Sequence, residues 1–126
     1  ILEEVQLRAT KISRELHYLW YQDRLKKLKL TTLVERRRRG DLIQMFKITR
    51  GTDLIQWENQ QITISANHGR RQPFRREIVK NCDKRHFFFT NRVVNDWNNL
   101  PNPIVDVSSV NDFKNRLDSH HKLAAS

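Results

Sequence analysis

With 24 Lys plus Arg against 14 Asp plus Glu in 126 residues, the chain carries a formal charge of +10, which suits one domain with a single core and a polyanionic partner. No apolar run approaches the ~18 residues a spanning helix needs, and no charged-then-apolar leader is apparent, so no membrane partner is expected. The single cysteine, Cys82, excludes an internal disulfide and suits a reducing compartment, so the chain reads as soluble and intracellular, cytoplasmic and/or nuclear.

Residues 1–16 place Leu2, Val5, Ala9, Ile12 and Leu16 at alternating spacings of three and four, the pattern of a helix that buries a narrow seam. No capping residue precedes Ile1, so the chain reads as a piece of a longer protein whose upstream partner helix is missing. Tyr21, Leu25 and Leu28 give a second short helix, surrounded by Arg24, Lys26, Lys27 and Lys29.

The best-marked helix runs from about Thr32 to Arg50. Thr32 and Glu35 form a Thr-x-x-Glu capping box, and Gly51 supplies the left-handed stop. Its apolar face centres on Leu42 and takes in Val34, Ile43, Met45 and Phe46. Of the run Arg36-Arg37-Arg38-Arg39, the last two fall inside that arc and are expected to pair with carboxylates or to sit where the face leaves the core. Arg36 and Arg37 fall outside it and are the candidates for reaching a phosphate, although a basic run is as often merely a solvated face.

Between Thr52 and Asn81 the texture changes. Asp53 to Trp57 predicts one helical turn, Ile62-Thr63-Ile64-Ser65 a short strand, Asn67, Gly69 and Pro73 a loop, and Phe74 to Val79 a return strand. Arg70, Arg71, Arg75, Arg76 and Lys80 decorate the loop and its return. A basic ribbon tip suits a nucleic-acid backbone, where each neutralised phosphate releases counterions, and the bland reading is a solubilising loop.

From Phe87 to Pro101, Phe89, Val93, Trp97 and Leu100 form one helical stripe, a core face, with Asn91, Asn95 and Asn98 elsewhere. Pro101 and Pro103 stop this helix, and Arg92 and Asp96, four apart, are placed to pair. Ser109 caps a last helix with Asp112 in its first turn and Val110, Phe113 and Leu117 on its buried side. Residues 120–126 lack periodicity and are expected to be a disordered or vector-derived tail.

The fold class expected is therefore mainly α, a bundle of about five helices with a small two-stranded β-ribbon in the middle. One domain covers residues 1–119, with helices in 1–51 and 82–119 and the ribbon in 52–81. No catalytic signature stands out. Adjacent aspartates for a two-metal polymerase centre, a glycine-rich phosphate loop, a Gly-x-Ser-x-Gly elbow and a His-Glu-x-x-His pair are all lacking. Cys82 and His86, with His120 and His121 far downstream, lack the close spacing of four zinc ligands, so neither metal nor cofactor is expected. Tyr18, Trp57 and Phe74 are candidates for stacking on bases, and packing is the commoner role for each.

Five spaced motifs carry a resemblance across nearly the whole chain. They are Leu2-Glu3-x-Val5-Gln6-x-Arg8-Ala9-Thr10-Lys11, then Tyr21-x-x-Arg24-Leu25-x-x-Leu28-x-Leu30, then Leu33-x-Glu35-Arg36-Arg37-x-Arg39-Gly40-Asp41-Leu42-Ile43. After these come Phe88-Phe89-Thr90-x-Arg92-Val93-Val94-Asn95-x-Trp97-Asn98-x-Leu100-Pro101 and Val107-x-Ser109-Val110-x-x-Phe113-Lys114-x-Arg116-Leu117-Asp118. In this order they resemble the C-terminal thumb and post-thumb region of reverse transcriptases from non-LTR (LINE, Jockey-type group) retrotransposons. That resemblance implies a piece of an RNA-directed DNA polymerase which grips RNA template or RNA–DNA hybrid while a palm, not in this chain, does the chemistry. Residues 53–80 match the family poorly. The rival expectation is a protein-interaction module that docks on the missing polymerase core, or self-associates through its first helix.

Overall fold

A computed structural model describes residues 2–55, 63–64 and 74–125 of the chain. Among them are seven helices and two short strands: α1 (Leu2–Ala9), α2 (Tyr21–Lys27), α3 (Leu33–Thr49), β1 (Thr63–Ile64), β2 (Phe74–Arg75), α4 (Asp83–His86), α5 (Phe89–Asn98), α6 (Asn102–Val105) and α7 (Val110–Ala125). Five of the helices run seven residues or more, so the protein is mainly helical, as the periodicity predicts. The packing divides it into two units, residues 1–40 and 41–126.

The first unit is organised by polar groups. Arg24, only 2% exposed, donates from Nε to Thr10 Oγ1 at 3.1 Å, from Nη1 to the Leu19 carbonyl at 2.7 Å and from Nη2 to the Leu7 carbonyl at 3.4 Å. Thr10 donates its hydroxyl to the same Leu7 carbonyl at 3.1 Å. The amide of Lys11 would need that carbonyl to continue α1, and it bonds Arg8 instead, at 3.0 Å. Side-chain capture of a helix carbonyl thus ends α1 at Ala9, where the periodicity predicts a helix to Leu16. The predicted seam does not form. Val5 is 62% exposed and Ile12 84%, while Gln6 and Thr10 occupy the buried side and Leu16 is buried within a run of turns.

Glu3 links the remaining pieces of this unit. Tyr21 donates its hydroxyl to one carboxylate oxygen, and the first amide of α3, that of Leu33, donates to the other at 3.0 Å. Burial, followed by the hydrogen bond to Glu3, raises the Tyr21 phenol above its ordinary value. The capping box is formed: the Thr32 amide donates to Glu35 Oε2 at 2.9 Å and the Glu35 amide to Thr32 Oγ1 at 3.2 Å.

The second unit holds the apolar core. Leu42, Ile43, Met45 and Phe46 of α3 meet Val93, Trp97 and Leu100, the single turn α6, and Phe113 and Leu117 of α7. Phe46 and Phe113 stack at 4.4 Å with planes 15° apart, an arrangement worth about 0.5–1.5 kcal/mol beyond the area buried. Val34, assigned to the same face by periodicity, is exposed, and the buried residues of α3 begin at Leu42. Gly51 ends α3 at φ 68°, with its amide on the Ile48 carbonyl at 3.1 Å and the Thr52 amide on the Lys47 carbonyl at 2.9 Å, a Schellman closure. Residues 51–55 then make no helical turn, since Asp53 folds back to accept from Gln44 Nε2 at 2.9 Å; the rest of that predicted turn lies outside the described residues.

Pro101 ends the α5 segment and opens α6, in which Pro103 occupies the first turn, where a missing amide costs nothing. The carbonyls that so short a helix leaves over are taken by arginines: Arg50 donates to Val105 at 2.9 Å and Arg116 to Pro103. Ser109 caps α7, accepting the Asp112 amide at 3.0 Å. The helix continues to Ala125, past the point where a tail is predicted, because Lys, Leu and Ala are strong helix formers even without an apolar stripe.

Candidate nucleic-acid interface

The return strand of the ribbon is shorter than Phe74 to Val79. Only Phe74 and Arg75 pair, antiparallel, with Ile64 and Thr63. What holds this segment is α5. Asn98 accepts the Phe74 amide at Oδ1, 3.1 Å, and donates from Nδ2 to the Phe74 carbonyl at 2.7 Å, doing with a side chain what a neighbouring strand does with its backbone. Asn91, only 4% exposed, accepts the Glu77 amide at 2.9 Å and donates to the Arg85 carbonyl at 3.0 Å. The ring of Phe74 packs against the core beside Trp97, at 6.4 Å between centroids, and is not available to a base.

Segment 74–77 therefore lies beside α4. Arg75 is exposed and makes no side-chain hydrogen bond or ion pair among the described residues, and the same holds for Lys80. Arg76 differs: it is half-buried, with Nη2 2.8 Å from His86 Nε2, and because a guanidinium only donates, that ring nitrogen accepts. One arm of its guanidinium is thus engaged within the fold, through Nη2. Glu77 and Arg85 form a bidentate pair, at 2.7 and 3.0 Å, which raises the Arg85 guanidinium above its ordinary value. Lys84 on α4 is a further exposed cation that sequence reasoning did not single out.

Arg92 does not pair with Asp96. It grips Asp41 with two bonds, Nε to Oδ2 at 2.7 Å and Nη2 to Oδ1 at 2.8 Å, and donates a third from Nη1 to the Phe87 carbonyl at 3.2 Å. The bond to Asp41 raises its pKa further. The rigid fork suits two parallel acceptors, which the carboxylate of Asp41 offers across 51 residues of sequence.

In the first unit, Arg36 and Arg37 are exposed on the early turns of α3, without side-chain hydrogen bond or ion pair among the described residues. Arg38 is exposed and Arg39 half-buried. Lys26, Lys27 and Lys29 of the same unit are exposed as well. Residues 1–40 hold 11 of the 24 basic and 5 of the 14 acidic side chains, so +6 of the +10 resides there. Tyr18 is exposed. Arg70, Arg71 and Trp57 lie outside the described residues.

Among the described residues, no three His, Cys, Asp or Glu side chains come together as a metal site, and no helix is long and apolar enough to cross a membrane. Comparison with known protein families, with curated proteins and with solved structures finds no match to this chain.

Proposed function

We propose that the chain is a non-catalytic nucleic-acid-binding module that grips the backbone of an RNA template or RNA–DNA hybrid without reading sequence. This is the role implied by its resemblance to the C-terminal region of non-LTR reverse transcriptases. The observation that supports it best is the division among the cations. Arg24, Arg50, Arg76, Arg85, Arg92 and Arg116 are engaged in holding the fold, whereas Arg36, Arg37, Arg75 and Lys80 are exposed and unpaired among the described residues. Cations that hold nothing within the fold are free to neutralise phosphates. Arg70 and Arg71 belong to the proposal on sequence grounds.

The test is fluorescence anisotropy with single-stranded RNA, a DNA duplex and a hybrid, each at several salt concentrations. The double variants Arg36→Glu/Arg37→Glu and Arg75→Glu/Lys80→Glu should each weaken binding on all sequences alike and flatten the log-log salt slope by about 1.5, the loss of two phosphate contacts. An unchanged slope removes that pair from the interface, and wild-type protein that binds nothing near physiological salt refutes the reading. The exposure of Val5 and Ile12 favours a second reading, a module that docks on a polymerase core or on its own copy through α1. Strictly monomeric sedimentation, unchanged by Val5→Ser/Ile12→Ser, argues against self-association.

A further inference from the structure

Phe87 is 64% exposed, yet it is not loosely held. Its amide bonds the Asp83 carbonyl at 2.9 Å, its carbonyl accepts from Arg92, and its ring stands edge-on to His86, at 4.8 Å and 82°. His86 is in turn fixed by Arg76, so guanidinium, imidazole and phenyl form a continuous row that ends in an aromatic ring facing solvent. The exposed cations Arg75, Lys80 and Lys84 lie on the segments that this row joins, because Arg76 and Glu77 contact His86 and Arg85 directly. Phe88, 47% exposed, follows at the start of α5.

A pre-positioned aromatic surface with exposed cations on the segments beside it fits a base stacked on the ring with its phosphates on those cations. We infer that Phe87 is a stacking platform for an unpaired base, and that Arg75, Lys80 and Lys84 hold the flanking phosphates. The ligand class is then a single strand or a single-stranded end, because a base inside a duplex has no free face to offer. This rests on the nucleic-acid reading above and narrows it to unpaired RNA or DNA.

The experiment measures anisotropy of the 126-residue chain with a 12-nucleotide oligo(U) and with a 12-base-pair duplex. It compares wild type with Phe87→Ala, Phe87→Leu and Phe87→Trp, and circular dichroism verifies the fold of each. Both Ala and Leu should weaken oligo(U) binding about tenfold while leaving duplex binding within about twofold and the salt slope unchanged, and Trp should restore it. Unchanged oligo(U) affinity, an equal loss on both probes, or rescue by Leu overturns the platform, the last two pointing to general disruption and to apolar bulk acting without ring stacking. Each of these leaves backbone gripping intact. Wild-type protein that binds neither probe overturns both.

Discussion

Asparagine 98 positions the candidate interface without being part of it, which makes Asn98→Ala an informative perturbation. The substitution removes both bonds to Phe74, of 3.1 and 2.7 Å, and alters no charge. At about 1 kcal/mol net for each bond, the local opening of segment 74–75 becomes more favourable by about 2 kcal/mol, roughly 30-fold in its equilibrium constant. Amide hydrogen exchange reads this residue by residue. The Phe74 amide should lose protection by about that factor, while the Glu77 amide, held by Asn91, should lose much less. Affinity for RNA should fall only by the fraction of molecules in which the segment is open, because Arg75 starts from a fixed position in the closed form. A Phe74 amide that exchanges no faster in Asn98→Ala than in wild type would show that β-pairing or ring packing holds the segment, and the argument from the asparagines would fail.

Two further outcomes concern the first unit. Arg24→Met keeps the apolar stem but leaves the Leu19 carbonyl without its donor, and should reduce protection of the α2 amides by about 2–4 kcal/mol while leaving α7 unaffected; a loss below about 0.5 kcal/mol would mean that the buried guanidinium is dispensable. The raised Tyr21 phenol gives the pH dependence a sign. Above pH 10.0 the unfolded phenol ionises before the folded one, so this contribution is complete below that pH and is lost as pH rises through the folded-state value. Tyr21→Phe should flatten the alkaline side of the stability profile, and an identical profile would remove Tyr21 from the account.

What could be read from the sequence was local chemistry. Thr32 with Glu35, Gly51 and Ser109 are cap and stop residues whose partners lie within five positions, and all three act as the spacing predicts. The α5 stripe was legible for the same reason, with Val93, Trp97 and Leu100 in the core. The misreadings share another cause: a polar side chain with a distant partner. Nothing near Leu7 announces that Arg24 will take its carbonyl, and Arg92 looks toward Asp96 until the fold brings Asp41 closer. Lys29 closes α2 at φ 53°, a conformation for which glycine is the usual signal, so that turn could not be seen in advance. The asparagines of α5 are themselves a signal in the sequence. Asparagine is a poor helix former, and a helix with several of them implies side-chain amides needed for something other than the helix. Of the candidate site, the exposed cations Arg36, Arg37, Arg75 and Lys80 were legible, whereas the diversion of Arg76 to His86 was not.

The polar organisation of the first unit has a thermal consequence. Among its described side chains, Leu16 and Leu25 are the only large hydrophobics that become buried, while Gln6, Thr10 and Arg24 are buried with them. Exposure of apolar surface raises the heat capacity on unfolding and exposure of polar surface lowers it, so this unit should show a heat-capacity increment per residue below the usual ~12–15 cal/mol/K. Its stability should therefore change less per residue with cooling or moderate warming than that of the second unit, whose core is apolar. The two units of one short chain should thus respond to temperature on different scales.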